Sequence, residues 1–233
     1  MTEFSNVPDW SVVEPVGGQR HLPVYLLLDT SGSMTGAPIE AVRRGVEMFQ
    51  QEVSSDQFAR DVVKVGVITF NSDARLVTNG LVLIKDFQPP TLHASGSTCL
   101  GKAFQVLLDS MDKHVVKGVK GGHKGDWKPV VFVLTDGRPT DEWRGPRDAV
   151  INRPKGAIKP SVIVAVGCGP DVDDATLKEI STGTAFRIEG DEASFVALFQ
   201  YLTQSVTSSV QPGGNVEDPF ENISPPDDLI RIP

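Results

Sequence analysis

Three short clusters of oxygen-bearing side chains punctuate the sequence, and their residue types suit a divalent cation. The first, "DTSGS", contains Asp29, Ser31 and Ser33 directly after an apolar run, and the second, "SGST", ends in Thr98. The third, "TDG", contains Asp136 after another apolar run. Carboxylate and hydroxyl oxygens are ligands for hard cations, whereas zinc favours His and Cys. We therefore predict a divalent metal site, with Mg²⁺ as the first choice and Mn²⁺ or Ca²⁺ as alternatives.

The spacing of the first cluster supports this prediction. Ser31 and Ser33 follow Asp29 by two and four residues, so a turning loop could aim all three side chains at one point. Gly32 would let the backbone curl closely around that point. Ser, Thr, Gly and Asp are also ordinary turn and capping residues, so one cluster alone would not decide. Three clusters after or before the expected elements favour a metal site over simple turns.

The elements that must position these clusters alternate along the chain. Three runs are apolar on both faces, "LPVYLLLD", "VVFVLT" and "SVIVAVGC", and each reads as a central strand. Between the strands, apolar residues recur at spacings of three and four, which indicates helices: Ile39, Val42, Val46, Phe49 and Val53, then Leu100, Phe104, Leu107, Leu108, Met111 and Val115, then Phe195, Leu198, Phe199, Leu202 and Val206.

This order predicts an α/β fold of the doubly wound type. We expect a mainly parallel central sheet with helices on both faces and one antiparallel edge strand. In such folds ligands bind at the carboxyl ends of the strands, where the three clusters fall. Weaker signals predict a hairpin at Asn79-Gly80, a helix over 141–152, and a helix capped by Asp171 or Asp173.

Composition narrows the class of partner. The 233 residues carry a net charge of −8, which argues against nucleic acid and against an anionic membrane surface. No apolar run approaches the roughly 20 residues that span a bilayer. The N-terminus lacks the features of a secretory signal, and Cys99 and Cys168 form no disulfide framework. These features predict a cytoplasmic protein.

The chain divides by composition into three parts. We expect a leader at 1–20, one domain at 21–208 and an acidic, Pro-rich tail at 209–233 that is extended or disordered. The glycine-rich connector "KGVKGGHKGDWK" is locally basic. It is interpreted as a solvated loop, or as a docking point for the acidic tail of this or another chain.

Together, "LLLDTSGSM", "SGST" and "FVLTDG" resemble the metal-ion-dependent adhesion site (MIDAS) of von Willebrand factor type A (VWA) domains. The resemblance implies that Ser31, Ser33 and Thr98 contact the metal, while Asp29 and Asp136 often act through water. It also implies that an Asp or Glu of a protein partner completes the coordination. A site of this kind is a binding device without a nucleophile and base, so the expected protein is an interaction module rather than an enzyme.

A narrower resemblance concerns longer phrases. "LPVYLLLDTSGSMTGAPIEAV" and "WKPVVFVLTDGRPTD" resemble the bacterial TerY group, which is associated with tellurite resistance. That resemblance implies a stress-response setting and partners that include kinase-like or phosphatase-like proteins.

Two enzymatic alternatives compete with this interpretation. "GSTCLGKA" approaches a phosphate-binding loop, but Ala103 replaces the hydroxyl residue that would bind Mg²⁺, so Lys102 is expected to be an exposed helix residue. A Mg²⁺-dependent phosphatase or phosphotransferase could use Asp29 as nucleophile, but Ser31 stands where the acid/base would be needed. His93 is a candidate for the rim of the site, and Trp143 is expected to pack on the sheet.

Overall fold

A computed structural model describes residues 19–169, 172–189, 191–220 and 223–232. Within these ranges the strands are β1 (Leu22–Asp29), β2 (Val63–Phe70), β3 (Ala74–Leu76), β4 (Val82–Leu83), β5 (Val130–Thr135), β6 (Val162–Cys168), β7 (Thr184–Ile188) and β8 (Ile230–Arg231). The helices are α1 (Ala37–Ser55), α2 (Ala59–Val62), α3 (Leu100–His114), α4 (Arg144–Ile151), α5 (Asp174–Ile180) and α6 (Glu192–Val210).

The strands form one mixed sheet in the order β3-β2-β1-β5-β6-β7-β8, with β4 also paired to β2. The five central strands, β2, β1, β5, β6 and β7, are parallel. Short antiparallel strands close both sides, β3 and β4 against β2 and β8 against β7. The predicted doubly wound, mainly parallel fold is confirmed, with antiparallel strands at both edges where one antiparallel edge strand was expected. We call the carboxyl ends of the parallel strands the upper edge and their amino ends the lower edge.

Side chains alternate across the sheet and form two apolar layers. Along β1, Leu26 and Leu28 join the layer under α1 and α6, whereas Tyr25 and Leu27 join the layer under α3, α4 and α5. This alternation explains why β1 is apolar throughout, because both of its faces are covered. Nearly every residue of the three predicted helical stripes is buried; Leu108 is partly buried.

The hairpin predicted at Asn79-Gly80 is wrong. β3 and β4 do not pair with each other; they follow one another along the same side of β2. The Thr78 hydroxyl accepts a hydrogen bond from the Val67 amide (3.2 Å) and donates one to the Gly80 carbonyl (2.9 Å). Thr78 therefore holds the bend against β2, and Gly80, with φ of 77°, turns the chain onward rather than back.

The described residues of the acidic tail form turns and one short strand, β8, and pack on the domain. Phe220 contacts the ring of Phe132 edge-on at 5.9 Å, and Leu229 and Ile232 are buried in the two apolar layers. Glu217 forms an ion pair with Lys128 of the basic connector. The division into leader, domain and tail stays a prediction, and residues 1–18 of the leader lie outside the described residues. Among the described helices, none is long and apolar enough to cross a membrane.

Candidate metal centre

Asp29 is the most deeply buried acid at the upper edge. It ends β1, and its residue is 0% exposed. Because Leu28 pairs with Leu134, Asp29 lies beside Thr135 at the end of β5. Its Oδ2 accepts a hydrogen bond from Thr135 Oγ1 (2.6 Å), and its Oδ1 accepts one from the Ser31 amide (2.8 Å). The end of β5 and the loop after β1 therefore each fix one oxygen of this carboxylate.

A row of hydroxyls links Asp29's loop to Asp136. Ser31 Oγ lies 3.0 Å from Ser33 Oγ, and Ser33 Oγ donates to Asp136 Oδ1 at 2.8 Å. Ser31 is buried, whereas Ser33 is exposed and Asp136 is half-buried. The row therefore runs from the interior to the surface, where a ligand from outside could reach it.

Thr98 faces the same space from a third loop. A Cβ atom placed on Gly137 would lie 3.6 Å from Thr98 Oγ1 and 3.9 Å from Ser33 Oγ. The two hydroxyls therefore border one small volume that the missing side chain of Gly137 leaves open. The structure thus brings Ser31, Ser33, Thr98 and Asp136 to one place, with Asp29 directly behind Ser31.

Two glycines let the loop before Thr98 approach the loop after β1. The Gly32 amide donates to the Gly96 carbonyl (2.9 Å), and a Cβ on Gly32 would lie 3.3 Å from that oxygen. Gly96 has a φ of 77°, a conformation that strains other residues. The Ser95 amide donates to the Thr30 carbonyl (2.8 Å) beside them. These contacts hold the two loops against each other.

Further support comes from residues that the sequence argument did not identify. The Thr98 amide donates to Thr140 Oγ1 (3.2 Å), and the Thr140 amide donates to the Thr98 carbonyl (2.8 Å). The Asp141 carboxylate accepts from the amides of Gly101 and Lys102 and so caps α3. The helix predicted over 141–152 begins only at Arg144, and Asp141 caps α3 instead. The sequence feature that could have identified these two residues is the pair Thr140-Asp141, which repeats the Thr135-Asp136 pair at the end of β5.

Among the described residues, no basic side chain contributes to the pKa shift of the buried Asp29 carboxylate. Burial raises the pKa of Asp29 to about 6, and the nearby charge of Asp136 adds to the rise. The hydrogen bonds from Thr135 and Ser31 oppose it. No lysine, arginine or histidine of the described chain is among the groups that shift this pKa. Desolvation of the charged form is therefore only partly offset.

The residues present fit a hard divalent cation. Across the described residues, no group of three or more His, Cys, Asp or Glu side chains is placed to hold a metal. The cluster here instead has three hydroxyls and two carboxylates, an oxygen-only set of the kind that Mg²⁺ or Mn²⁺ accepts. The buried carboxylate and the open volume beside Gly137 are the features that a bound cation would satisfy.

The geometry opposes both enzymatic alternatives. Asp29 is fully buried with both oxygens hydrogen-bonded, so it presents no free oxygen for attack on a phosphoryl group. Lys102 is exposed, as predicted, and its ammonium donates to the Ser72 carbonyl (2.7 Å). The segment before Gly96 is not a strand, so the arrangement of a phosphate-binding loop is not formed.

His93 is exposed and lines a cavity of about 200 Å³ that reaches Thr30. None of the five candidate metal residues lines this cavity, so a place for His93 at the rim of the metal site stays a prediction. Trp143 is 4% exposed and packs in the layer under α3, as predicted. Ser97 turns away from the site and contacts Ser72 Oγ at 3.1 Å.

Comparisons with solved structures agree on the fold. A von Willebrand factor type A protein from Catenulispora acidiphila superposes with a TM-score of 0.61 at 18% identity, over 81% of this chain and 43% of that chain. The ArnB paralog VWA2 from Sulfolobus acidocaldarius gives a TM-score of 0.56 at 17% identity, over 80% and 45%. This chain therefore spans less than half the length of these two proteins.

A third structure carries a metal. Proximal thread matrix protein 1 from the mussel byssus, described with a zinc-occupied MIDAS motif, gives a TM-score of 0.54 at 16% identity. The superposition covers 81% of this chain and 48% of that chain. At these identities the likeness shows the fold alone. No curated protein sequence matches the chain.

The family itself is shown by a sequence-based family model. The model described as the von Willebrand factor type A domain matches residues 24–204, which is well over half of the chain. That span runs from β1 into α6 and contains every residue of the candidate site. The chain belongs to the von Willebrand factor type A domain family.

Proposed function

We propose that this protein is a non-enzymatic interaction module that binds an acidic side chain of a protein partner through a divalent cation. The observation that carries the proposal is the convergence of Ser33 Oγ and Thr98 Oγ1 on the open volume beside Gly137. The hydroxyls of Ser33 and Thr98 come from two separate loops, and the carboxylate of Asp136 follows the end of β5. All three lie close together near the molecular surface.

Each residue has a distinct role in this proposal. Ser31, Ser33 and Thr98 would offer neutral oxygens to the cation, and Asp29 and Asp136 would supply negative charge close by. Because few carboxylates touch it directly, the cation would stay electrophilic and attract a carboxylate from outside. When bound, the metal supplies a coordination position for that carboxylate, while the chain's own residues hold its geometry.

Mg²⁺ is the cation that we propose. The donor set contains oxygen alone, and zinc sites are usually built with His or Cys. Zinc at the corresponding motif of the mussel protein supports a divalent metal at this position in the fold. Mn²⁺ and Ca²⁺ share the preference for oxygen and remain the alternatives.

The biological setting is a separate proposal. The resemblance of residues 22–42 and 127–141 to the TerY group supports a bacterial, cytoplasmic adaptor in the response to chemical stress such as tellurite. Kinase-like or phosphatase-like proteins would then be among the partners. An exposed Asp or Glu is the chemical feature that such a partner must offer.

The proposal is tested by capture of partners with the tagged full chain, in Mg²⁺ and in EDTA. We expect proteins that are retained with Mg²⁺ and released by EDTA, and that the Thr98→Ala variant fails to retain. Thr98→Val is the matched control for shape, because it also lacks the hydroxyl and should fail equally. Retention that EDTA and both variants leave unchanged would place the partner surface elsewhere.

The same preparation tests for enzymatic activity. With Mg²⁺ and p-nitrophenyl phosphate, we expect no phosphate release above that of the Asp29→Asn variant. Metal-dependent turnover that Asp29→Asn abolishes would contradict the proposal and support the phosphatase alternative.

A further inference from the structure

We propose that the lower edge carries a second binding site, independent of the metal centre, for an acidic segment of a partner polypeptide. The site is a groove of about 500 Å³ between the residues before β5 and the connector from α4 to β6. We call it the basic groove; its charged lining residues are Asp126, Lys128, Arg153, Lys155 and Lys159, and Trp127 lies among them.

The frame of the basic groove is held by the chain's own contacts. The Ser161 amide donates to the Pro129 carbonyl (2.8 Å), which joins the two walls. The Arg153 guanidinium donates to the Ile158 carbonyl (2.9 Å) and to Asp112 (2.6 Å). Arg20 stacks over the Trp127 ring at 4.8 Å. The groove is therefore a formed feature rather than a gap between loose loops.

The acid of the groove, Asp126, is hydrogen-bonded within the fold, whereas two of its lysines are not paired with an acid among the described residues. Asp126 is 3% exposed and accepts hydrogen bonds from the amides of His21 and Val116. Lys155 and Lys159 are exposed, and neither has an ion-pair partner among the described residues. The groove therefore presents unneutralised positive charge on a protein whose net charge is −8.

The chain itself shows which ligand group this surface accepts. Glu217, in the acidic tail, pairs with Lys128 at the rim of the groove. A carboxylate of the chain's own tail thus already pairs with one lysine of the groove. An exposed ion pair of this kind contributes little to stability, so a segment with several acids could compete with it.

A polypeptide fits better than the two other common polyanions. Nucleic acids and anionic membranes need a broad basic surface, and the net charge of −8 opposes both. Trp127 is partly buried, packs on the core and is covered by Arg20, so its ring is not a free platform for stacking a base. Three lysines around one groove match a short run of Asp or Glu.

The two sites are far enough apart to be filled together. β5 runs between the two edges and has 6 residues. Because a strand rises by roughly 3.3 Å per residue, the distance between the two edges is about 20 Å. The protein would then hold one carboxylate through a metal at the upper edge and another acidic segment through lysines at the lower edge.

The test uses a fluorescein-labelled decapeptide of alternating Glu and Gly, with fluorescence anisotropy of the full chain in EDTA throughout. Because EDTA removes the metal, failure here would leave the metal-dependent proposal untouched. We expect saturable binding at 50 mM NaCl, with a Kd that rises about fivefold at 200 mM NaCl. The same peptide with Gln in place of Glu should not bind.

Matched charge reversals identify the surface. Lys155→Glu and Lys159→Glu should each raise the Kd about fivefold, whereas Lys178→Glu, an equal charge change at an exposed lysine of α5, should alter it less than twofold. Glu217→Gln should lower the Kd about twofold, because it releases Lys128. Equal effects of all three reversals would overturn the proposal, and so would tighter binding of decauridylate or phosphatidylserine vesicles.

Discussion

Each end of β1 has a buried aspartate beside it, and the two carboxylates have different neighbours. At the lower edge, Asp126 accepts from the amides of His21 (3.1 Å) and Val116 (3.0 Å) and lies 3.3 Å from the imidazole of His21. At the upper edge, Asp29 has one amide donor and the hydroxyl of Thr135, and Asp136 adds a like charge. Both oxygens of Asp126 thus accept hydrogen bonds from backbone amides, whereas no basic side chain of the described residues offsets the charge of Asp29.

The difference indicates how a structural acid and a proposed metal-site acid can be told apart. Both side chains are almost inaccessible to water, so burial alone does not separate them. Donors from the chain's own backbone satisfy Asp126 within the fold. Near Asp29, the hydroxyls of Ser33 and Thr98 border the open volume beside Gly137, where a cation would balance the carboxylate charge.

The largest expected effect concerns metal affinity. Asp29→Ala should weaken Mg²⁺ or Mn²⁺ binding by at least about 100-fold, because it removes one of the two negative charges close to the hydroxyls. Asp126→Asn, at the other end of β1, should leave the affinity unchanged. Isothermal titration of the two variants beside the wild type measures both values. Equal binding by wild type and Asp29→Ala would remove Asp29 from the metal site.

The upper edge could be anticipated from the sequence because its main residues follow strong strand signals. An apolar run fixes where β1 and β5 end, and parallel strands bring their ends together, so Asp29 and Asp136 were predictable as neighbours. Thr140 and Asp141 were not, since their hydrogen bonds depend on how the loop after β5 folds back onto α3.

Two features of the structure, the segment around Asn79-Gly80 and the acidic tail, were poorly predicted from the sequence, for local reasons. Asn79-Gly80 favours a hairpin turn, but the Thr78 hydroxyl accepts a hydrogen bond from the Val67 amide and keeps the chain on β2. In the tail, acidic and proline residues suggested an extended or disordered segment. Three separated apolar residues, Phe220, Leu229 and Ile232, nevertheless pack on the domain, a contact that no periodicity reveals.

Stability without metal should separate the two aspartates in sign. In EDTA at pH 7, Asp29→Asn should stabilise the protein by about 2 kcal/mol, because the burial of a charge that raises its pKa is removed. Asp126→Asn should destabilise it by about 2 kcal/mol, because an NH₂ group would meet N–H donors. Urea unfolding measures both. Destabilisation by Asp29→Asn in EDTA would mean that the hydroxyls alone satisfy the carboxylate.

The pH dependence of the metal-free protein should report the same acid. The folded pKa of Asp29, about 6, lies above its ordinary value of 3.8, so the folded state holds the proton more tightly. Stability from this group is therefore present at low pH and is lost as pH rises through 6. Linkage gives a loss of about 1 kcal/mol between pH 5 and pH 7.

Two controls check the assignment of this pH dependence. Asp29→Asn in EDTA should lack that loss, because it carries no titrating group. Saturating Mg²⁺ should reverse the trend for wild type, because a cation favours the ionised carboxylate. A slope that is the same in wild type and Asp29→Asn would assign the titration to other groups.

The smallest expected effect comes from the lower edge and has the opposite sign. Burial lowers the pKa of His21, and Lys64 adds to the decrease, although Asp126 raises it. The folded state therefore disfavours the charged imidazole, and stability should fall as pH drops through 6.5. His21→Gln should remove this decline, since its amide can still donate to Asp126 without gaining a proton. Urea unfolding of Asp29→Asn and of Asp29→Asn/His21→Gln between pH 5 and pH 7 isolates the effect of His21. The Asp29→Asn substitution removes the larger pH dependence of stability, which has the opposite sign. If the double variant lost as much stability at pH 5 as Asp29→Asn, the decline would come from other groups and not from His21; a rise in the stability of Asp29→Asn at low pH that the double variant lacks would mean that Asp126 holds a charged imidazole.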